Sequence, residues 1–297
     1  MTQAAPPKSR ILLRVAARTN VGVERSNNED RVLVADLAAG TPHVGTFDGE
    51  LEAENGGALL AVCDGMGGEA GGEVASTTAV ETLFGVTAQS LPGRSENEVA
   101  RGLADAVRVA SQAIEARAEA DRALARMGTT ATVCTVAGDA LLIAQVGDSR
   151  AYLLRGGVLH QLTRDQTLKT LLVERGQLTP EQAVEFQHNN IILQALGHKG
   201  GVEVELGWVG LCQDDALLVC SDGLYGCVPD DRIAQILSGG DLGPTCDALI
   251  QAALDAGAPD NVTCLIARCH GALPESSSET PVLRKIELAP LTPAPAT

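Results

Sequence analysis

The chain has 297 residues, 45% of them hydrophobic, and a formal charge of -16 from 22 Lys plus Arg against 38 Asp plus Glu. That apolar content excludes wholesale disorder. The acidity excludes a general nucleic-acid or anionic-membrane surface, which would need a basic stripe.

Residues 1–8 read as a flexible start. Arginines interrupt the apolar stretch RILLRVAAR, so no signal-peptide core is present, and no run approaches the ~18 apolar residues of a membrane span. Short aliphatic segments bounded by Gly, Asp or Asn predict strands at SRILLRVAAR, RVLVAD, GALLAVCD, TTATVCTVAG, ALLIAQVGD, RAYLLRGG, VEVELGW, DALLVCSD and NVTCLIARC. Two hairpins are expected, around Ala137-Gly138-Asp139 and around Gly156-Gly157. Residues 37–57 exceed a tight hairpin and read as a mobile surface loop in preference to a partner-recognition element.

Helical spacing links Val80, Leu83, Phe84 and Thr87. A capping box at Ser95 and Glu98 opens a second stripe of Val99, Leu103, Ala106, Val107, Ala110 and Ile114. Thr179, Pro180 and Gln182 mark a helix start, and residues 245–256 predict an Ala-rich helix. Strands and helices come in groups, which predicts an α+β fold of antiparallel sheets with helices on their outer faces, rather than a doubly wound parallel sheet. One domain is expected over 9–270. The Pro- and Ser-rich stretch 271–297 is expected to be a disordered tail, with its VLRKIEL patch solvated rather than a docking peptide. The eight cysteines form no C-x-x-C pair and lie mostly in apolar runs, so they read as buried hydrophobes in a reducing cytosol. A cytoplasmic protein is expected.

Acids recur where an apolar run meets a polar or Gly-rich turn: Asp64 after LLAVC, Asp148 after LLIAQVG, Asp222 after ALLVCS, Asp260 with Asn261 before VTCLIA, and Glu29 with Asp30 before RVLVAD. Taken singly, each is an ordinary turn residue. Together, carboxylates at strand ends would converge on one rim, repelling one another unless cations neutralise them. Such hard oxygen donors, with no nearby His or Cys set, suit Mn2+ or Mg2+ rather than zinc. Gly65, Gly67, Gly68, Gly71 and Gly72 let backbone approach a metal or phosphate, but fit neither a dinucleotide fingerprint nor a P-loop. Arg25, four residues before Glu29, is suited to fork onto phosphate oxygens.

RSNNED (25–30), DGMGG (64–68), GTTAT (128–132), VGDSRAYL (146–153), CSDGL (220–224) and APDNVT (258–263) occur in that order. Together they closely resemble the metal-dependent protein phosphatase (PPM) family, the type 2C serine/threonine phosphatases, in its bacterial form. The match runs over about residues 10–269. The resemblance implies a four-layer αββα sandwich and hydrolysis of phosphoserine and phosphothreonine in proteins. It implies Mn2+ or Mg2+, two ions with a third on the bacterial pattern. Asp64 matches the bridging carboxylate and Gly65 a ligand through its carbonyl. Asp222 and Asp260 match further ligands, and Asp148 a ligand to the third ion, shared with Asp222. Glu29 matches an acid near the second ion, acting through water, Asp30 and Asn261 stand behind the ligands, with Asn261 orienting the loop of Asp260, and Arg25 matches the phosphate-binding arginine. Residues 164–197 match a mobile flap beside the active site, the place for substrate selection. Phosphoproteins, with Ser/Thr kinases and their substrates, are the implied partners of a monomer. Neither nucleic acid nor membrane is implied.

Many bacterial relatives carry His after DGMGG, where this chain has Glu69. That weakens any His general acid at this position. His43, His160, His188, His198 and His270 lie in no metal motif. Cys63 beside Asp64 lacks the C-x5-R spacing of a phosphocysteine mechanism, since position 69 is Glu69. The rival readings are a pseudophosphatase that binds without turnover and a phosphatase of small molecules.

Overall fold

The computed structural model describes residues 10–67, 71–184, 186, 191–275 and 280–288. The first strand pair shows what organises the chain. In β2 (Arg31–Asp36), Val32 and Val34 face one core while Leu33 and Ala35 face another. A strand apolar on both faces must lie between two layers, and this pattern recurs in β5 (Ala58–Cys63), β8 (Ala131–Ala137), β9 (Ala140–Val146) and β13 (Ala216–Cys220), each buried along its whole length. That period is why VCTV and ALLVC read as continuous apolar runs.

The remaining strands complete two sheets, paired antiparallel throughout. β1 (Ile11–Asn20), β4 (Phe47–Glu52), β10 (Arg150–Arg155), β11 (Val158–Gln161) and β14 (Val262–Gly271) join β13 in the order β11-β10-β13-β14-β1-β4. β3 (Thr41–Val44), β12 (Glu205–Gly210) and β15 (Arg284–Lys285) join the second sheet, ordered β15-β12-β9-β8-β5-β2-β3. The short pair β6 (Gly65–Met66) and β7 (Gly128–Thr129) stands apart.

α1 (Gly71–Ser90) and α2 (Glu96–Ala120) cover the second sheet. Their stripes are those expected: Val80, Leu83 and Thr87 are buried on α1, and Val99, Leu103, Ala106, Val107, Ala110 and Ile114 on α2. The carboxylate of Glu98 accepts from both the backbone N–H and the hydroxyl of Ser95. α3 (Leu168–Glu174) and α4 (Pro180–Val184) are short. α5 (Asp222–Tyr225), α6 (Asp230–Leu237) and α7 (Leu242–Asp255) cover the first sheet, where Ile233, Leu237 and Leu249 meet Tyr152, Leu218 and Ile266. The result is the expected αββα sandwich, and the parallel alternative is excluded by the register of every paired strand.

Both expected hairpins form, and Gly156 and Gly157 adopt φ of +57° and +80°, as a tight two-residue turn demands. A buried ion pair braces the far end of the first sheet. Arg155 Nε donates to Asp215 Oδ1 at 2.9 Å, Arg155 Nη2 to Asp215 Oδ2, and the Cys212 N–H also donates to Asp215 Oδ2 at 2.8 Å. The eight cysteines are free, all but Cys227 buried.

Two expectations are corrected. Residues 37–57 are not a featureless loop: β3 edges the second sheet against β2, while β4 edges the first against β1, so the chain crosses from one sheet to the other here and closes one side of the sandwich. The tail expected to be disordered re-enters the fold. Residues 284–285 pair with β12, while Leu283 packs on the inter-sheet core and Ile286 and Leu288 on the core beneath α2. Of the other expectations, the flexible start 1–8, Glu69 and His188 lie outside the described residues.

Candidate active site

Antiparallel pairing brings strand ends that are far apart in sequence to one end of the sandwich. β5 ends where β2 begins (Cys63 opposite Arg31). β13 ends where β14 and β10 begin (Cys220 opposite Cys264 and Arg150), and β1 ends opposite Val262. The residues just beyond these ends are Asp64, Asp30, Asp222, Asp260, Asp148 and the loop bearing Arg25. One pocket of about 420 Å³ is lined by Arg25, Glu29, Asp64, Gly65, Asp222 and Asp260. A second, of about 400 Å³, adjoins it through Asp222 and Asp260 and adds Asp148, Arg150, Asp165 and Lys169. A larger cavity of about 810 Å³ lies between α2 and β12, away from this acidic rim.

Asp64 and Asp148 are held through their backbones, Asp30 and Asp260 through their side chains. The Asp64 N–H donates to Thr130 Oγ1 (2.9 Å), and the Asp64 carbonyl accepts from Thr129 Oγ1 (2.8 Å) and the Thr130 N–H (2.9 Å). A side chain at Gly65 would place Cβ 2.3 Å from the Gly72 carbonyl and 2.6 Å from that of Glu29, so only glycine fits. Tyr225 donates its hydroxyl to the Asp148 carbonyl at 3.0 Å. Its ring lies 3.7 Å beneath the Arg150 guanidinium, which is itself forked onto Asp165 at 2.9 and 2.7 Å. Ser221 donates to Asp30 Oδ2 at 2.7 Å. Arg25 Nη2 donates to Asp260 Oδ2 at 2.6 Å, so the guanidinium faces the acidic pocket.

Asn261 was expected to orient the loop of Asp260, and its side chain ties that loop to the facing one. Nδ2 donates to the carbonyls of Val21 (2.8 Å) and Asn27 (2.9 Å), and Oδ1 accepts the Glu29 N–H (2.7 Å). It thereby sets Arg25 and Glu29 against Asp260.

The electrostatics are those of carboxylates forced together. Burial first, then neighbouring acids, pushes Asp30 and Asp148 up to about 7 and Asp222 up to about 6. Asp64 is raised well above the carboxylate range for the same reasons, and Glu29 is raised chiefly by burial. Oδ1 of Asp30, of Asp148 and of Asp222 is buried with no hydrogen-bond partner. Leaving such oxygens unpaired is costly, and hard divalent cations take this donor set. Among the described residues, no three His, Cys, Asp or Glu side chains close on one point as a finished cage would. Cys63 is fully buried and its thiol is pushed up by that burial, which makes it a poor nucleophile.

A family model described as protein phosphatase 2C matches residues 47–252. The chain belongs to the protein phosphatase 2C family. It is 38% identical over 258 residues to the serine/threonine protein phosphatase PstP of Mycobacterium tuberculosis, covering 86% of this chain and 45% of PstP. It therefore spans less than half the length of that relative. It is 35% identical over 250 residues to the serine/threonine phosphatase stp of Listeria monocytogenes, covering 84% of this chain and 93% of that protein. A solved structure described as the catalytic domain of PstP in complex with two manganese ions superposes with a TM-score of 0.71 at 37% identity, covering 87% of this chain and 99% of that one.

Within this phosphatase 2C domain, Arg25, Glu29, Asp64, Gly65, Asp222 and Asp260 come together in one pocket, with Asp148 in its neighbour and Asp30 and Asn261 packed beneath. None of the described histidines lines either pocket. Residues that sequence reasoning passed over are Ser221, Tyr225, Asp165 and Lys169. Ser221 alone carried a signal, standing beside Asp222 in CSDGL. Ile192, from the expected flap, lines the pocket that holds Arg25. That segment is stitched down by Leu168 N–H to the Ile191 carbonyl, Leu193 N–H to the Gln166 carbonyl, and reciprocal bonds between Leu196 and Thr129.

Proposed function

We propose that this chain hydrolyses phosphoserine and phosphothreonine in proteins, and that Asp64, Gly65, Asp148, Asp222 and Asp260 hold Mn2+ or Mg2+ at the rim. The observation that carries the reading is a pocket where Glu29, Asp64, Asp222 and Asp260 meet Arg25, with one carboxylate oxygen of Asp222, and of Asp148 in the adjoining pocket, buried without a partner. Bound divalent cations supply the Lewis acidity that ionises water at neutral pH and offsets phosphate charge.

The chain's own residues do the rest. Arg25 swings its fork from Asp260 onto two phosphate oxygens, which fixes phosphorus for in-line attack. Asp64, pinned through Thr129 and Thr130, stays put while charge moves, so little reorganisation accompanies the step. Asp30 accepts the Ser221 hydroxyl, which ties the strand end before Asp222 to the start of β2. Ile192 and the flap shield the pocket and contact residues flanking the phosphoamino acid.

Kinase-phosphorylated proteins in the bacterial cytoplasm are the proposed substrates, and the phosphatase is proposed to act as a monomer that reverses Ser/Thr kinase signalling. Eight free cysteines suit a reducing compartment. Among the described residues no helix is long and apolar enough to cross a membrane. Phosphopeptide and p-nitrophenyl phosphate turnover test the reading. Activity should require Mn2+ or Mg2+, vanish with chelator, and be lost in Asp222→Asn. A folded, cation-binding wild type that turns over neither substrate is the pseudophosphatase outcome and overturns it.

A further inference from the structure

Residues 280–288 lie outside the span matched by the family model, yet they are fitted to the domain by three separate devices. The first is main-chain pairing: Arg284 and Lys285 stand opposite Trp208 and Gly207 of β12, and the Ile286 N–H donates to the Leu206 carbonyl at 3.0 Å. The second is a socket. A Cβ at Gly207 would lie 2.8 Å from Leu283 Cγ, so glycine at this strand position makes the space that Leu283 fills. The third is a plate: the Arg284 guanidinium sits 4.9 Å from the centre of the Trp208 ring. Pro281 is buried and Val282 is 66% exposed, the alternation of an edge strand.

The same segment reaches the flap. Leu283 and Lys285 share a cavity of about 250 Å³ with Glu205 and with Arg164, the first flap residue. Arg164 pairs with Glu205 at 3.3 Å and with Glu174, the last residue of α3. The Glu174 carboxyl is held below its ordinary range chiefly by Arg164, with the positive charge of Lys285 adding to it. A two-residue ladder and a few partly buried apolar side chains make a limited attachment, one that opens well below the free energy of global unfolding.

We propose that residues 280–288 are a strap: an added strand on the β12 edge that secures flap helix α3, so that undocking the strap frees the flap over the phosphate pocket. Docking stands on its own geometry. The consequence for phosphoprotein turnover rests on the phosphatase reading above.

Trp208 is the only tryptophan in the chain, so its fluorescence reports the strap directly. In the full chain, Leu283→Asp puts a charge into the socket, and Gly207→Val fills the socket from the other side. Both should shift Trp208 emission to the red and raise its quenching by acrylamide. Both should speed tryptic cleavage after Arg175, in the exposed turn that follows α3. Circular dichroism and p-nitrophenyl phosphate turnover should stay as in the wild type, while KM for a phosphopeptide changes. Adding the peptide TPVLRKIEL to Leu283→Asp should restore the emission. Hydrogen exchange on the unaltered chain gives a test that no misfolded variant can spoil: residues 280–288 and 168–178 should open together, before the sheets. Unchanged emission and quenching in folded variants overturns the docking. Exposed Trp208 with wild-type cleavage at Arg175, or independent exchange of the two segments, overturns the coupling to the flap. Strap signals as expected in a chain that hydrolyses nothing would support the strap and refute the phosphatase reading.

Discussion

Replacing Asn261 by Ala tests how far the site depends on one side chain. Asn261 is 4% exposed, and its amide makes three hydrogen bonds, at 2.7, 2.8 and 2.9 Å, to the loop that bears Arg25 and Glu29. Truncation strands two carbonyls and one N–H in the interior. At ~1 kcal/mol or somewhat more for each unsatisfied group, the loss is about 3 kcal/mol. For a domain of this size, at 2–4 °C per kcal/mol, that is a fall in Tm of roughly 6–12 °C. Loosening Arg25 by about 1 Å should also cost roughly 100-fold in kcat/KM, because phosphorus is no longer held in line. The assays are thermal unfolding in saturating Mn2+ and phosphopeptide kinetics at a temperature where the variant is fully folded. Asn261→Asp keeps the acceptor for Glu29 but loses both donors, and should fall between wild type and Ala. A Tm within about 1 °C of wild type, with kcat/KM unchanged, would refute the claim that this amide sets the loop.

Three further outcomes are expected. In chelator, Asp30, Asp148 and Asp222 hold protons up to pH about 6–7 when folded, against an ordinary carboxyl value of 3.8. The folded state then binds more protons than the unfolded one, so stability should fall as pH rises from 5 to 8, and the Tm gained by adding Mn2+ should grow over the same window. A cation-induced gain that shrinks with pH contradicts this. Gly65→Ala drives Cβ against two carbonyls and should abolish turnover while leaving circular dichroism native, since the clash is confined to the rim; full activity would refute it. Asp215→Ala strands the buried Arg155 charge and should cost about 3–5 kcal/mol by denaturant titration, with kcat of the folded fraction unchanged.

The acids were legible in the sequence because each stands where a continuous aliphatic run breaks into Gly or a polar turn, and antiparallel pairing then gathers such breaks at one end. Asp64 after LLAVC and Asp222 after ALLVCS are the clearest cases. What braces them was not legible. Tyr225 under Arg150, or Asn261 across to Val21, are contacts between distant segments that no local period records. β3 and β4 escaped notice because they edge the sheets and are mostly exposed, so they lack the apolar alternation that marks a strand. Residues 280–288 escaped for a related reason. Their anchoring depends on a glycine and a tryptophan some seventy-five residues earlier, while their own composition is that of a solvated tail.

The pairing of β1 with β14, from Ile11 opposite Gly271 to Asn20 opposite Val262, has a consequence for biosynthesis. β14 lies between β13 and β1, so the first sheet is split until the strand made last is inserted at its centre. Contacts of such long sequence separation form slowly. Asp260 and Asn261 enter the rim on that same strand's leading edge. A nascent or C-terminally clipped chain therefore carries Asp64, Asp148 and Asp222 but no assembled centre, and enzymatic competence switches on only with the closure of the sheet.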